Sequence, residues 1–183
     1  LAHGSTVATN AIVQRRLART GLITNDGFRD VLTIGTQMRR HVYDLWAPDP
    51  IGRIGPQGEE VEPLDDGGVR RAAQALRAAD VDAVAVMLLF SFANPAHEHR
   101  VGAILAEELP GVPLSLSSLV VPEYREYVRA STTAVNVSLL PLLGEYIGAL
   151  RDRVAGEGIS VPVHLMQANG GVTPAERARE LPM

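Results

Sequence analysis

The spacing of apolar and polar positions changes several times along the chain, and each change marks an element. Val69, Ala72, Ala73, Leu76 and Ala79 recur at helical intervals, which predicts a helix after the Asp65-Asp66-Gly67-Gly68 turn. Ala83 to Leu89 is an unbroken apolar run of strand length, the pattern of a strand covered on both faces. Asn94-Pro95 then opens a helix with Val101, Ile104, Leu105 and Leu109 as its buried stripe, and Pro110-Gly111 stops it. Val112 to Leu116 predicts the next strand. A long helical region follows from about Pro122 to Gly156, with Leu139, Leu143, Tyr146, Ile147 and Leu150 inward and Pro141 as a bend point. Val161 to Gln167 reads as a last strand, and Pro174 to Leu181 as the start of another helix. The α-β-α-β-α-β order from Val69 onward specifies an α/β fold with a parallel sheet and right-handed crossovers.

The first third is less regular. Ser5 or Thr6 can cap a helix running to about Ala18, with Val7, Ala8, Ala11 and Ile12 on one face and Gly21 as its stop. Leu22-Ile23-Thr24 reads as a short strand, Asn25-Asp26-Gly27 as a turn, and Phe28 to Ile34 as a brief helix ending at Gly35. From Thr36 to Gly68 the periodicity is lost. Pro48, Pro50, Pro56, Pro63 and the only tryptophan, Trp46, fall there, which predicts an irregular or small β insertion suited to specificity elements. Both the first ten residues and the Val163–Gly171 stretch put glycine-bearing, hydrogen-bonding segments where a strand hands over to a helix. That is where α/β sheets hold ligands. The chain starts without Met inside such a segment, so a piece of a larger protein is expected.

Composition narrows the chemistry. The 183 residues are 46% apolar and 21% charged, ordinary for a globular domain. The longest apolar run, Val81 to Phe92, is short of a membrane span and contains Asp82, so no membrane association is expected and the cytoplasm is the default location. The absence of cysteine removes thiolate catalysis and disulfides. All basic residues are arginine, so no lysine can act as a base or Schiff-base former. A net charge of −4 and 4% aromatics argue against nucleic-acid binding.

Five stretches together carry a resemblance. They are His3-Gly4-Ser5-Thr6-Val7-Ala8-Thr9-Asn10-Ala11, Gly27-Phe28-Arg29-Asp30-Val31-Leu32, and Ser91-Phe92-Ala93-Asn94-Pro95-Ala96-His97-Glu98. The others are Pro122-Glu123 through Arg125-Glu126-Tyr127 to Ser131-Thr132-Thr133, and Met166-Gln167-Ala168-Asn169-Gly170-Gly171. In order and spacing the chain resembles the hydantoinase A/oxoprolinase family, which includes 5-oxoprolinases, N-methylhydantoinases and the ATPase subunits of acetone and acetophenone carboxylases. The resemblance implies an actin-like ATPase (ribonuclease H-like) lobe, with ATP and Mg²⁺ between two related lobes in the full-length protein. Residues 1–165 would be most of the first lobe and 166–183 the crossover into the second. Departures are Ser5 for threonine, Phe90 for histidine, and Ala168 for serine. The family's two phosphate loops, upstream of the His-Gly motif and downstream of Asn-Gly-Gly, are not in this segment, which is expected to be inactive alone.

Each candidate site has two readings. His3-Gly4-Ser5-Thr6 offers amides, hydroxyls and an imidazole to an anionic or carbonyl-bearing substrate, or is a helix cap with a solvated His3. Asn169-Gly170-Gly171 lets backbone approach a nucleotide phosphate, or is a plain turn. Arg39-Arg40-His41 with Tyr43 can clamp a substrate carboxylate, or forms a solvated basic loop. Glu126 can orient water or Mg²⁺, or favours a helix start through the dipole. His97-Glu98-His99 is read as structural or surface, because residues two apart on a helix point to different faces, and no metal site is expected.

The resemblance implies an ATP-dependent hydrolase that activates a lactam or hydantoin ring by phosphorylation before opening it. His3, Ser5, Thr6 and Glu126 would be catalytic, Arg39, Arg40 and Tyr43 substrate-binding, and Asn169, Gly170 and Gly171 on the nucleotide side. A hydantoinase B-like second subunit or fused domain, and homo-oligomerisation, are expected. The alternatives are the ATPase subunit of an acetone/acetophenone-type carboxylase, and a non-catalytic lobe that only folds or docks to a partner.

Overall fold

The computed structural model describes residues 2–4, 6–34, 52–159, 161–166 and 171–178. It opens with β1 (Ala2–Gly4), α1 (Val7–Val13), β2 (Thr20–Thr24) and the single turn α2 (Val31–Ile34). The first helix ends at Val13, not near Ala18. Arg15 adopts φ 55°, and the Arg15 and Arg16 amides donate back to the Ile12 and Ala11 carbonyls, a left-handed stop that glycine usually supplies. The described part of the irregular stretch contains a small antiparallel hairpin, β3 (Arg53–Ile54) and β4 (Glu60–Glu62). Then come α3 (Asp66–Ala78), β5 (Ala83–Met87), α4 (Ala96–Glu108), β6 (Leu114–Leu116) and α5 (Ser117–Val120). The long α6 (Glu126–Gly156) runs continuously through Pro141, and β7 (His164–Met166), β8 (Val172–Pro174) and α7 (Ala175–Ala178) follow.

The fold is α/β with largely parallel pairing, as expected, but the strands form two platforms rather than one. One sheet has the order β2-β5-β6, all parallel; the other has the order β1-β7-β8, with β1 parallel and β8 antiparallel to β7. The helix expected from Pro174 is therefore preceded by a strand. Thr173 is buried between exposed Val172 and Pro174, a period of two, and Pro174 sits on an outer strand where its missing N–H interrupts no ladder.

β5 is buried along its whole length. Val84, Val86 and Leu88 face Val69 and Ala73 of α3 and Val101, Ile104 and Leu105 of α4. Ala83, Ala85 and Met87 face Ala130, Val137 and Leu140 of α6, the small alanines admitting a close helix approach. Gly21 lies inside β2 rather than ending a helix: a Cβ there would stand 2.4 Å from Leu76 Cδ2, so glycine lets α3 pack close to the sheet. Over 18 residues α6 reaches a mean hydropathy of 1.3, long and apolar enough to cross a bilayer. Here its apolar positions pack on β5, on Ala11 of α1, and, through Ile147, on Val163, Leu165 and α7.

Candidate functional site

The two strands that flank the sequence motifs are neighbours. β1 pairs in parallel with β7 in the register Ala2–His164, His3–Leu165 and Gly4–Met166. The carboxyl ends of both strands thus lie side by side. Thr6 and α1 follow one, and Gly171 and β8 follow the other. A parallel pair is the geometry that gathers loops at one edge, where α/β sheets place ligands. A Cβ built on the exposed Gly4 meets nothing within 4 Å, so this edge is open among the described residues.

His3 is not a solvated cap residue. Its half-buried imidazole reaches across to α6, with Nε2 2.5 Å from the Tyr146 hydroxyl and the rings 6.0 Å apart. Nε2 either accepts the phenol proton or donates its own; in both cases the ring orientation is fixed and Nδ1 is left for another partner. Thr6 is the N-cap residue of α1 but makes no side-chain cap bond. Its Oγ1 instead accepts from Asn10 Nδ2 at 3.2 Å. Ser5, Asn169 and Gly170 lie outside the described residues, as do Arg39, Arg40 and Tyr43; Gly171 is half-buried at the entry to β8.

Glu126 is not part of this cluster. It opens α6, twenty residues before Tyr146, which is about 30 Å of helix axis at 1.5 Å per residue. Nearby, the buried Glu98 gathers polar groups at the end of β5. Its Oε1 accepts from the Leu88 amide at 2.9 Å and the Ser117 hydroxyl at 2.6 Å, and its Oε2 from the Ser118 amide at 2.8 Å. His97 is buried against Glu60 of the hairpin at 3.2 Å, while His99 is exposed. The three neighbours thus serve different partners, and no group of three or more potential ligand side chains forms among the described residues. Arg129, a buried cation on α6, has its pKa pushed down by burial, with Glu98 and Glu126 opposing that shift through their charge.

Sequence reasoning missed the roles of Tyr146 and Arg129. Tyr146 was legible only as an inward position, since nothing local announces a partner 143 residues away. Arg129 left a signal: it shares a helical face with buried Thr133, Asn136 and Leu140, where a solvated arginine does not belong.

An open-edged parallel strand pair backed by a long helix defines the class: an α/β lobe with its candidate site at strand carboxyl ends. The comparisons give the family. Residues 1–109 match the hydantoinase/oxoprolinase N-terminal region and residues 129–183 match hydantoinase/oxoprolinase. The chain belongs to the hydantoinase/oxoprolinase family. It is 36% identical to the caprolactamase subunit alpha of Pseudomonas jessenii, over 97% of this chain and 28% of the relative. It is 30% identical to 5-oxoprolinase 1 of Arabidopsis thaliana, over 95% of this chain and 16% of that protein. The crystal structure of the ATP-dependent P. jessenii caprolactamase superposes with a TM-score of 0.79, over 94% of this chain and 27% of that one. The nucleotide-free acetone carboxylase structure superposes with a TM-score of 0.80 at 25% identity, over 98% and 28%. This chain therefore spans less than a third of these relatives' length. The fold agrees with that of an actin-like ATPase lobe.

Proposed function

We propose that this chain is most of the first lobe of an ATP-dependent cyclic-amide hydrolase, with residues 166–183 crossing toward a second lobe, and that the β1–β7 edge faces the reacting ring. The observation that carries this reading is the β1–β7 register, which sets the His3 segment beside the strand leading to Asn169-Gly170-Gly171. Family membership and the caprolactamase likeness support the substrate class. The residues present fit one wall of a nucleotide seat: Gly4 leaves space for a ligand, and Thr6 Oγ1 is not engaged with a cap amide. With no lysine in the chain, phosphate charge would fall to backbone amides around Gly171 and to arginine. Bound ATP, with Mg²⁺, would supply the phosphoryl group that makes the ring carbon electrophilic.

In this reading the chain positions and polarises. His3, fixed by Tyr146, presents Nδ1 toward the edge where the ring carbonyl would lie. Ser5 and Thr6 offer hydroxyls to the same group, and Arg39, Arg40 and Tyr43 hold the substrate's polar substituent. Glu126, far along α6, takes no part in this seat. The relatives' designation as subunits supports a partner subunit of the hydantoinase B type. The test is ADP release by the full-length protein with 5-oxoproline, hydantoin and simple lactams. Turnover stimulated by one of these, and cut by His3→Ala, is expected; no stimulation by any would overturn the reading. The likeness to acetone carboxylase favours a second reading, ketone activation for carboxylation. ADP release requiring both a ketone and bicarbonate would select it.

A further inference from the structure

We propose that the carboxyl ends of β2 and β5, beneath the first turns of α6, hold a small carboxylate monoanion, with Arg129 as its cationic partner and the Thr133 and Thr24 hydroxyls as further donors. Arg129 is 1% exposed, so its charge has almost no contact with water. Its Nη2 donates to the Leu88 carbonyl and lies 3.1 Å from Met87 Sδ. Its Nε and Nη1 are buried with no partner, and so are Thr133 Oγ1 and Thr24 Oγ1. These atoms share one neighbourhood. Thr133 lies one helical turn beyond Arg129 on the same face. Thr24 pairs in register with Met87, the residue that Nη2 touches.

Buried polar atoms are nearly always satisfied, and a cluster of orphans around one cation points to an absent group rather than to chance. No carboxylate of the described chain supplies it. Both Glu98 oxygens already accept from Leu88, Ser117 and Ser118, and Glu98 and Glu126 act on Arg129 only through their charge. That negative field disfavours a dianion and suits an oxyanion of charge −1. The site lies at the strand ends where parallel sheets bind ligands. Its cover is a side chain: the half-buried Phe92 ring lies over the guanidinium, 5.4 Å from centroid to Cζ. Phe92 sits in the turn after β5, where Phe90 adopts φ 54°. Rotating Phe92 would open the site without moving the sheet. Arg129 is seventeen residues from Tyr146, about 25 Å along α6, so this site is separate from the His3 edge and stands independently of the function proposed above.

The probe is sodium formate, followed by saturation-transfer NMR on the full-length protein with ionic strength held constant by chloride. Saturable transfer to formate is expected in the wild type, absent in Arg129→Met and weakened about tenfold in Thr133→Val, the loss typical of one hydrogen bond to a charged group. Thr133→Val decides the matter if Arg129→Met does not fold, because it removes one hydroxyl while keeping the shape. No transfer in the wild type would overturn the proposal, as it would if a carboxylate from elsewhere in the protein fills the site. Transfer unchanged in both variants, an adventitious association only, would also overturn it.

Discussion

Replacing Glu98 with glutamine tests how the end of β5 is held. The carboxylate accepts from Leu88 N, Ser117 Oγ and Ser118 N at 2.9, 2.6 and 2.8 Å, and the side chain is fully buried. Glutamine keeps the shape but has one acceptor oxygen. With that oxygen turned to Leu88 and Ser117, its amide N–H groups face the Ser118 amide, donor against donor. One orphaned buried donor costs about 1–3 kcal/mol, and two charge-assisted bonds weakened to neutral ones lose roughly 1 kcal/mol each. The sum is about 3–5 kcal/mol, a large share of a typical domain stability of about 5–15 kcal/mol. Arg129 also loses part of the negative field that favours its charge. Ser117→Ala removes one donor to Glu98 and leaves the buried Ser91 hydroxyl without its 3.2 Å partner, but orphans no backbone amide, so it should cost less, about 2 kcal/mol. Urea unfolding of the two variants beside the wild type measures both. A Glu98→Gln cost below about 1 kcal/mol, or one equal to that of Ser117→Ala, would refute the assignment of Glu98 as the clamp on these two backbone amides.

Tyr146→Phe keeps the ring and deletes the hydroxyl bonded to His3, so substrate-stimulated ADP release of the full-length protein should fall about tenfold while unfolding shifts little; equal activity would mean the contact does not orient His3. Gly21→Ala should destabilise by about 1–3 kcal/mol through collision with Leu76, and Gly21→Ala/Leu76→Ala should lose less than the two single changes summed, read by thermal unfolding. Arg100 holds the Asp66 carboxyl below its ordinary pKa of 3.8, chiefly by hydrogen bonding. A depressed carboxylate stabilises the fold above its unfolded pKa and loses that contribution as pH falls through the lower folded value. Asp66→Asn should therefore be slightly less stable than the wild type at neutral pH, with that gap closing as pH falls below about 4 and shrinking with added salt. Asn25→Ala removes the Leu89 amide's acceptor and the donor to Gly52 O, so limited proteolysis should cut nearer the β3–β4 hairpin and faster than in the wild type.

The elements read most securely from sequence were those whose apolar period matches one packed face. Val101, Ile104, Leu105 and Leu109 predicted the buried stripe of α4, and all four are buried. The unbroken 83–89 run predicted a doubly covered strand, which β5 is. The misread places have local causes. An arginine in the left-handed conformation ends α1, and no composition rule anticipates that. Gly21 carried the signal of a helix stop and instead permits close approach of Leu76. The splitting of the strands into two sheets was illegible because β1, β7 and β8 are three residues each, too short to show a period. For the candidate site, the motif at His3 was readable and its setting was not: the partner hydroxyl lies 143 residues away. The strand-to-helix pattern of the two motif-bearing segments was readable in each one, and the β1–β7 register sets them side by side.

A three-residue strand pair cannot by itself fix where His3 sits, since so few ladder bonds offset little of the entropy of ordering them. The constraint must come from α6, which carries Tyr146 and, through Ile147, packs on Val163 and Leu165 beside β1. Yet a helix that meets its sheet through alanine, valine and leucine can slide by a turn at small cost, because its apolar stripe nearly repeats. Polar contacts do not repeat. Asn136 Nδ2 donates to Ser115 Oγ at 3.0 Å, and Arg129 donates to the Leu88 carbonyl, both in the buried interface with the other sheet. A slip of one turn, about 5.4 Å, would break both and bury their groups unsatisfied. The buried polar residues in the first half of α6 therefore fix the helix register. Through a continuous rod they fix the position of the Tyr146 hydroxyl against which His3 is set.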